Sequence, residues 1–186
     1  LAGRSGAVPA GWADGRTLLP GRVDVHCHGG AGGEFGPDPD SGRTAAAHHL
    51  RHGTTSIVGS LVSAAGATLL DGVTACVGLV ADGTLAGIHL EGPFLSVARC
   101  GAQDPSALID PDPALVEALT EAGHGGVVQM TFAPERPGAE ALVAKLAAAD
   151  VVPAVGHTDA DAVTARAALD RVLELGPRGG RPLVTH

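Results

Sequence analysis

Six short runs rich in Val, Ile, Leu and Thr recur at intervals of about 30 residues, each leading into a loop and, for the first five, a stretch of helical apolar spacing. This is the cadence of right-handed parallel βα units, and few other architectures accommodate it. The runs show little alternation of apolar and polar residues, which suits strands of a parallel sheet buried on both faces. The predicted strands cover 23–28, 54–61, 85–90, 127–133, 151–155 and 183–185. The predicted helices cover 41–52, 63–80, 114–122, 139–149 and 158 or 159 to 175. Their ends follow from local chemistry. Asp40 or Ser41 caps the first helix and Gly53 ends it; Gly66 is a weak point in the second. Pro113 opens the third, Thr158 or Asp159 caps the last, and Gly176-Pro177 stops it.

The fold class is therefore α/β, a (β/α)8 TIM barrel of which about six units are present, since a closed barrel takes about 250 residues and this chain has 186. An open doubly wound sheet is the alternative. The loop Gly29-Gly30-Ala31-Gly32-Gly33-Glu34 superficially favours it, but that loop lacks a helix start placed for a dinucleotide fingerprint. Histidines also stand where the apolar strand end should be, and no phosphate-binding Gly-x-x-x-x-Gly-Lys-Ser/Thr loop occurs. Residues 1–20, rich in Gly, Ala and Pro, read as an irregular N-terminal segment, the remnant of a small β domain, and residues 21–186 as the partial barrel. A first residue Leu1 and a last strand stopping at Val184-Thr185-His186 read as a fragment.

The composition, 45 % hydrophobic and 17 % charged with a net charge of −8, suits a globular protein and disfavours nucleic acid or anionic membranes as partners. No apolar run reaches the ~20 residues that span a bilayer. Cys27, Cys76 and Cys100 are dispersed, so a disulfide framework or thiolate zinc site is not expected and a cytoplasmic location is. Cys27 is expected to face the helices, Cys76 to lie in the core, and Cys100 on the rim shows no sign of activation.

The chemistry collects at strand ends. His26 and His28 share a face of the first strand because side chains alternate along it. Glu91 ends the third strand, His157 follows the fifth and His186 the sixth. In a parallel barrel all of these open onto one rim, where active sites are built. Each alone could be a solvated or hydrogen-bonded side chain; four imidazoles and a carboxylate together suit Zn²⁺, Fe²⁺ or Mn²⁺. His89 lies on the same strand face one layer deeper than Glu91 and reads as a support rather than a ligand. His48, His49, His52 and His124 are expected to be solvent-exposed.

The run Val23-Asp24-Val25-His26-Cys27-His28-Gly29 resembles the first-strand motif of the amidohydrolase superfamily. The run Gly87-Ile88-His89-Leu90-Glu91-Gly92-Pro93-Phe94-Leu95, followed by Gly101-Ala102, resembles more narrowly the N-acetylglucosamine-6-phosphate deacetylases. The likeness continues through Thr131-Phe132-Ala133-Pro134-Glu135, Val155-Gly156-His157-Thr158-Asp159 and Thr185-His186. It implies a metal-dependent amidohydrolase barrel that hydrolyses N-acetyl-D-glucosamine 6-phosphate to D-glucosamine 6-phosphate and acetate. It implies Glu91, His157 and His186 as principal metal ligands, and His26 and His28 as the pair that supports a second ion in some members. Zn²⁺ leads among the candidate ions, one or two per chain.

Ala102 and Gln103 align with a substrate-contacting pair, with Gln where the family often has His. The family's catalytic aspartate and most of its phosphate-binding residues lie beyond the position of His186. The implied partner is a small amino-sugar phosphate, and the full-length protein is expected to be a homodimer. A dihydroorotase-like or N-acyl-amino-acid deacylase-like enzyme, and a metal-binding fragment without the catalytic aspartate, are the competing readings.

Overall fold

The apolar runs become strands because their β-branched residues have somewhere to bury, and the computed structural model, which describes residues 19–186, pairs them in sequence order. The strands are β1 (Arg22–Cys27), β4 (Thr54–Leu61), β5 (Gly87–Glu91), β6 (Val127–Phe132), β7 (Val152–Val155) and β8 (Leu183–Val184). They form one parallel sheet in the order β1-β4-β5-β6-β7-β8, which curls as a partial TIM barrel with all carboxyl ends on one rim. The helices α1 (Pro39–Arg51), α2 (Gly66–Ala81), α3 (Pro113–Ala122), α4 (Ala139–Ala148) and α5 (Ala162–Leu175) form the connections. The glycine-rich loop after β1 folds into a small antiparallel pair, β2 (Gly29–Gly30) with β3 (Gly33–Glu34). Most of the N-terminal segment expected at 1–20 lies outside the described residues. No helix among the described residues is long and apolar enough to cross a membrane.

The core lies between sheet and helices, where Leu69, Val73, Leu79, Ile88, Leu90, Leu119, Met130, Phe132 and Leu146 are almost fully buried. Cys76 belongs to it, and burial pushes its thiol up to about 11, which keeps it inert at neutral pH. Inside the curl, the register Ser60↔His89↔Gln129↔Val152 sets one layer of side chains across four strands.

Three helix starts differ from expectation, each for a local reason. Asp38, not Asp40 or Ser41, caps α1: its carboxylate accepts from the Asp40 amide, and Pro39 takes the first helical position where no amide is needed. The second helix begins at Gly66 rather than 63 because the Ser63 amide donates to Gln103 Oε1 and the Ser63 hydroxyl to the Glu91 carbonyl, which holds the chain extended there. Asp161 caps α5 through the Thr164 amide, while the Thr158 hydroxyl and the Asp159 amide donate to the Glu135 carboxylate instead. The third strand ends one residue later than expected, so Glu91 is itself a strand residue paired with Thr131.

Candidate metal centre

Glu91 sits at the end of a fully buried strand, and its carboxylate, only 2 % exposed, is the point on which the rim converges. Gly92 follows at φ +90°, and a Cβ there would come within 2.2 Å of Ser63 Oγ, so only glycine lets the chain turn away while leaving the carboxylate in place. His26 Nε2 lies 3.0 Å from Glu91 Oε1 and His28 Nε2 lies 2.9 Å from Oε2. His157 Nε2 approaches Oε1 at 3.3 Å and His186 Nε2 at 3.6 Å. The imidazoles also approach one another: 3.1 Å separates Nε2 of His26 and His28, and 2.8 Å separates Nε2 of His157 and His186. All five residues singled out in the sequence are thus gathered around one point.

The tautomers of two rings follow from their far sides. His28 Nδ1 lies 3.0 Å from the Ser60 carbonyl and His157 Nδ1 2.8 Å from the Arg99 carbonyl. A carbonyl can only accept, so each Nδ1 carries a proton, and in the neutral form that binds a metal each ring turns an Nε2 lone pair toward Glu91. Lone pairs facing a carboxylate repel unless a cation lies between them. With those lone pairs facing it, Glu91 Oε1 is a buried oxygen without a hydrogen-bond donor. The residues present therefore fit a divalent ion: an anionic oxygen and several imidazole nitrogens with no electrophile of their own. With no ion between them, Nε2–H groups of His26 and His28 donate to Glu91 instead: burial opposes ionisation of the carboxyl, but these hydrogen bonds outweigh it and hold it below its usual range. The same contact with Glu91 raises the pKa of His28.

His157 adopts φ +49°, in the left-handed region unusual for a non-glycine residue, and such strain is found where a side chain must be aimed. The loop after β5 braces it. The Ser96 amide donates to the His157 carbonyl at 3.0 Å, and the Arg99 guanidinium bonds Asp159 at 2.7–2.8 Å two residues further on.

Gln103 does not project toward bulk solvent. It is buried, its Nε2 donates to Glu91 Oε2 at 2.7 Å, and its Oε1 accepts from the Ser63 amide at 2.8 Å. Ala102 is exposed on the same rim, and both residues line a cleft of about 700 Å³ with Val62, Gly101 and the five convergent residues. Below that layer, His89 is fully buried between the Ser60 hydroxyl and the Thr131 hydroxyl, each at 2.8 Å, and desolvation takes its pKa down to about 3.

Two features were not read from the sequence. Ser60 is a junction: its hydroxyl bonds the Cys27 amide and His89, and its carbonyl bonds His28. The available signal was a lone hydroxyl near the end of an apolar strand. The expectation that His48 and His49 are solvent-exposed is corrected, since both are half-buried, and His49 turns in toward Cys27 and Gly29; His52 and His124 are exposed. The sequence pattern puts His49 on a helix, but not on which side the β1 loop packs.

Known proteins similar to the chain cluster tightly. A substrate-bound mutant of N-acetyl-D-glucosamine-6-phosphate deacetylase from Mycobacterium smegmatis is 47 % identical with a TM-score of 0.81, over 82 % of this chain and 40 % of that one. An N-acetylglucosamine-6-phosphate deacetylase from Lysinibacillus sphaericus is 29 % identical over 78 % of this chain and 39 % of its own length. An N-acetylgalactosamine-6-phosphate deacetylase from Escherichia coli O157:H7 is 28 % identical over 84 % of this chain and 43 % of its own. No protein-family model matches. The chain thus spans about 40 % of the length of the relatives it matches.

Proposed function

We propose, from the premise that the chain belongs with the N-acetylglucosamine-6-phosphate deacetylases, that it forms the metal-bearing part of an enzyme hydrolysing N-acetyl-D-glucosamine 6-phosphate to D-glucosamine 6-phosphate and acetate. The observation that carries this reading is the meeting of His26, His28, His157 and His186 Nε2 atoms around the buried, donor-less Glu91 oxygen. Glu91, His157 and His186 hold a divalent ion, and His26 and His28 either hold a second one or orient what the first binds. The mixed nitrogen and oxygen donor set suits Zn²⁺ first, then Fe²⁺ or Mn²⁺. When bound, such an ion polarises an amide carbonyl and lowers the pKa of water toward ~7.

The chain's own residues do the rest of the work on this rim. The carbonyls of Ser60 and Arg99 fix the His28 and His157 tautomers, and Gln103 holds Glu91 by one N–H while keeping a second N–H for a substrate hydroxyl or amide. Ala102, small and exposed, leaves room for the sugar beside it. Among the described residues lining this cleft, Glu91 is the one carboxylate. The general base for proton transfer is therefore assigned to a residue outside them. The three free thiols accord with a cytoplasmic enzyme.

The test is acetate release by the full-length protein from N-acetylglucosamine 6-phosphate. The comparison substrates are its galactosamine epimer, the unphosphorylated sugar, a cyclic amide and an N-acyl amino acid. The reading requires chelator-sensitive turnover restored by Zn²⁺ and highest for the phosphorylated glucosamine. Preference for the epimer would move the substrate to the galactosamine series; preference for a cyclic amide or an acyl amino acid would overturn it.

A further inference from the structure

The side of β1 that turns away from the Glu91 cleft carries a second group of ligating atoms that deacetylation leaves unused. Asp24, Cys27 and His49 each bring one donor atom within 4.8 Å of the other two. Cys27 Sγ lies 3.3 Å from His49 Nε2 and 3.5 Å from the Gly29 carbonyl oxygen, and His49 Nε2 lies 3.0 Å from that same oxygen. Three segments build this group: the strand, the loop after it, and helix α1.

In a regular strand Asp24 and Cys27, three positions apart, would face opposite ways. Here Asp24 pairs with Ile57 and Cys27 with Gly59, so three steps along β1 match two along β4. The extra residue of this bulge reverses the alternation and brings the carboxylate to the thiol. Gly30 completes the cradle, because a Cβ at that position would come within 2.8 Å of His49 Nε2.

We propose that Asp24, Cys27, His49 and the Gly29 carbonyl hold a further divalent transition ion of the zinc type, separate from the Glu91 centre. A tetrahedral ion with bonds of ~2.0–2.3 Å sets its donors roughly 3.4–3.6 Å apart. The separations of 3.0, 3.3 and 3.5 Å come within a few tenths of an ångström of that. Without the ion the Gly29 carbonyl accepts from Cys27 S–H and His49 Nε2–H; uptake of the ion displaces the thiol proton to solvent and leaves the His49 proton on Nδ1, which frees Nε2 as a ligand. The resulting thiolate and the Asp24 carboxylate then neutralise the dication, which removes the cost of burying unpaired charge. The thiolate selects zinc-like ions over magnesium or calcium. Cys27 stands between His26 and His28, so the ion pins the strand end that presents both rings to the cleft.

Cobalt(II) reads this site directly, because a thiolate ligand gives a near-ultraviolet charge-transfer band that the imidazole and carboxylate donors of the Glu91 centre do not. Metal-free full-length protein is titrated with Co²⁺ while absorbance and bound metal are measured. The expected result is a thiolate band that vanishes in Cys27→Ser and in His49→Ala, with one fewer ion bound per chain in each. The band is expected to survive in Cys76→Ser and Cys100→Ser. It is also expected to survive in Glu91→Gln, so failure of this site and failure of the deacetylase centre are distinguishable.

Absence of any thiolate band in the wild-type protein at saturating Co²⁺ would overturn the proposal, as would a band lost in Cys100→Ser and kept in Cys27→Ser. Should Cys27→Ser not fold, the half-buried and less disruptive His49→Ala decides: a band unchanged there overturns it as well.

Discussion

Replacing Gln103 by Leu removes two hydrogen bonds at nearly constant volume and isolates what this side chain does for Glu91. The amide bridges the Ser63 backbone N–H at 2.8 Å and Glu91 Oε2 at 2.7 Å, and both ends are buried. Leu leaves the Ser63 N–H without a partner, which costs about 1–3 kcal/mol. The loss at Glu91 is smaller in the metal-free protein, because His26 and His28 stand within 3.0 Å and can donate when protonated. The metal-free protein should therefore lose about 2 kcal/mol, most of it from the stranded amide.

The larger consequence concerns the ion. Without its donor Oε2 becomes slightly more basic, which favours binding, but Glu91 also gains freedom to rotate away from the imidazoles. Orientation dominates in such contacts, so metal affinity is expected to fall 10–100-fold, or about 1.4–2.8 kcal/mol. Competition with a chromophoric chelator measures the affinity, and urea unfolding of chelator-treated protein measures the stability. A folded Gln103→Leu protein whose affinity drops less than about tenfold would refute the idea that Gln103 positions the ligand.

Other outcomes follow from the same geometry. Glu91→Gln keeps the shape but removes the one carboxylate among the described residues that line the cleft, so elemental analysis of purified protein should show reduced occupancy; unchanged occupancy would exclude Glu91 as a ligand. His89, neutral in the fold with its pKa taken from 6.5 down to about 3, binds its proton more readily when unfolded. Its share of stability is complete above pH 6.5 and is lost as pH falls toward 3, so His89→Gln should flatten that acid decline, measured in chelator-treated protein by urea midpoints across pH. Among the described residues β1 and β8 stand at the two edges of the sheet with Val23, Val25 and Val184 exposed. The isolated 186 residues should therefore self-associate in sedimentation velocity, and a monodisperse, cooperatively melting monomer would contradict this.

The parallel architecture was legible because the central strands β5, β6 and β7 are runs of residues that only burial on both faces explains, and because strand and helix patterns alternate at a steady interval. The identity of the convergent ligands was legible for a related reason: in a parallel curl every carboxyl end reaches the same rim, so chain order alone predicts that His26, Glu91, His157 and His186 will be neighbours. What the sequence concealed lay in side chains whose partner comes from a different unit. Gln103 reads as a loop residue open to substrate until the Ser63 amide and Glu91 are seen to claim both ends of its amide. Thr158 and Asp159 read as caps until Glu135, 23 and 24 positions away, engages both.

The hardest feature to foresee was the Asp24–Cys27–His49 group. Strict alternation places Asp24 and Cys27 on opposite faces, and only a bulge, a property of how β1 lies against β4, puts them together. Local patterns report on the face a residue would occupy in an ideal element. A shifted register reverses that face without changing a letter of the sequence, and a ligand group created that way is invisible to any reading that takes strands one at a time.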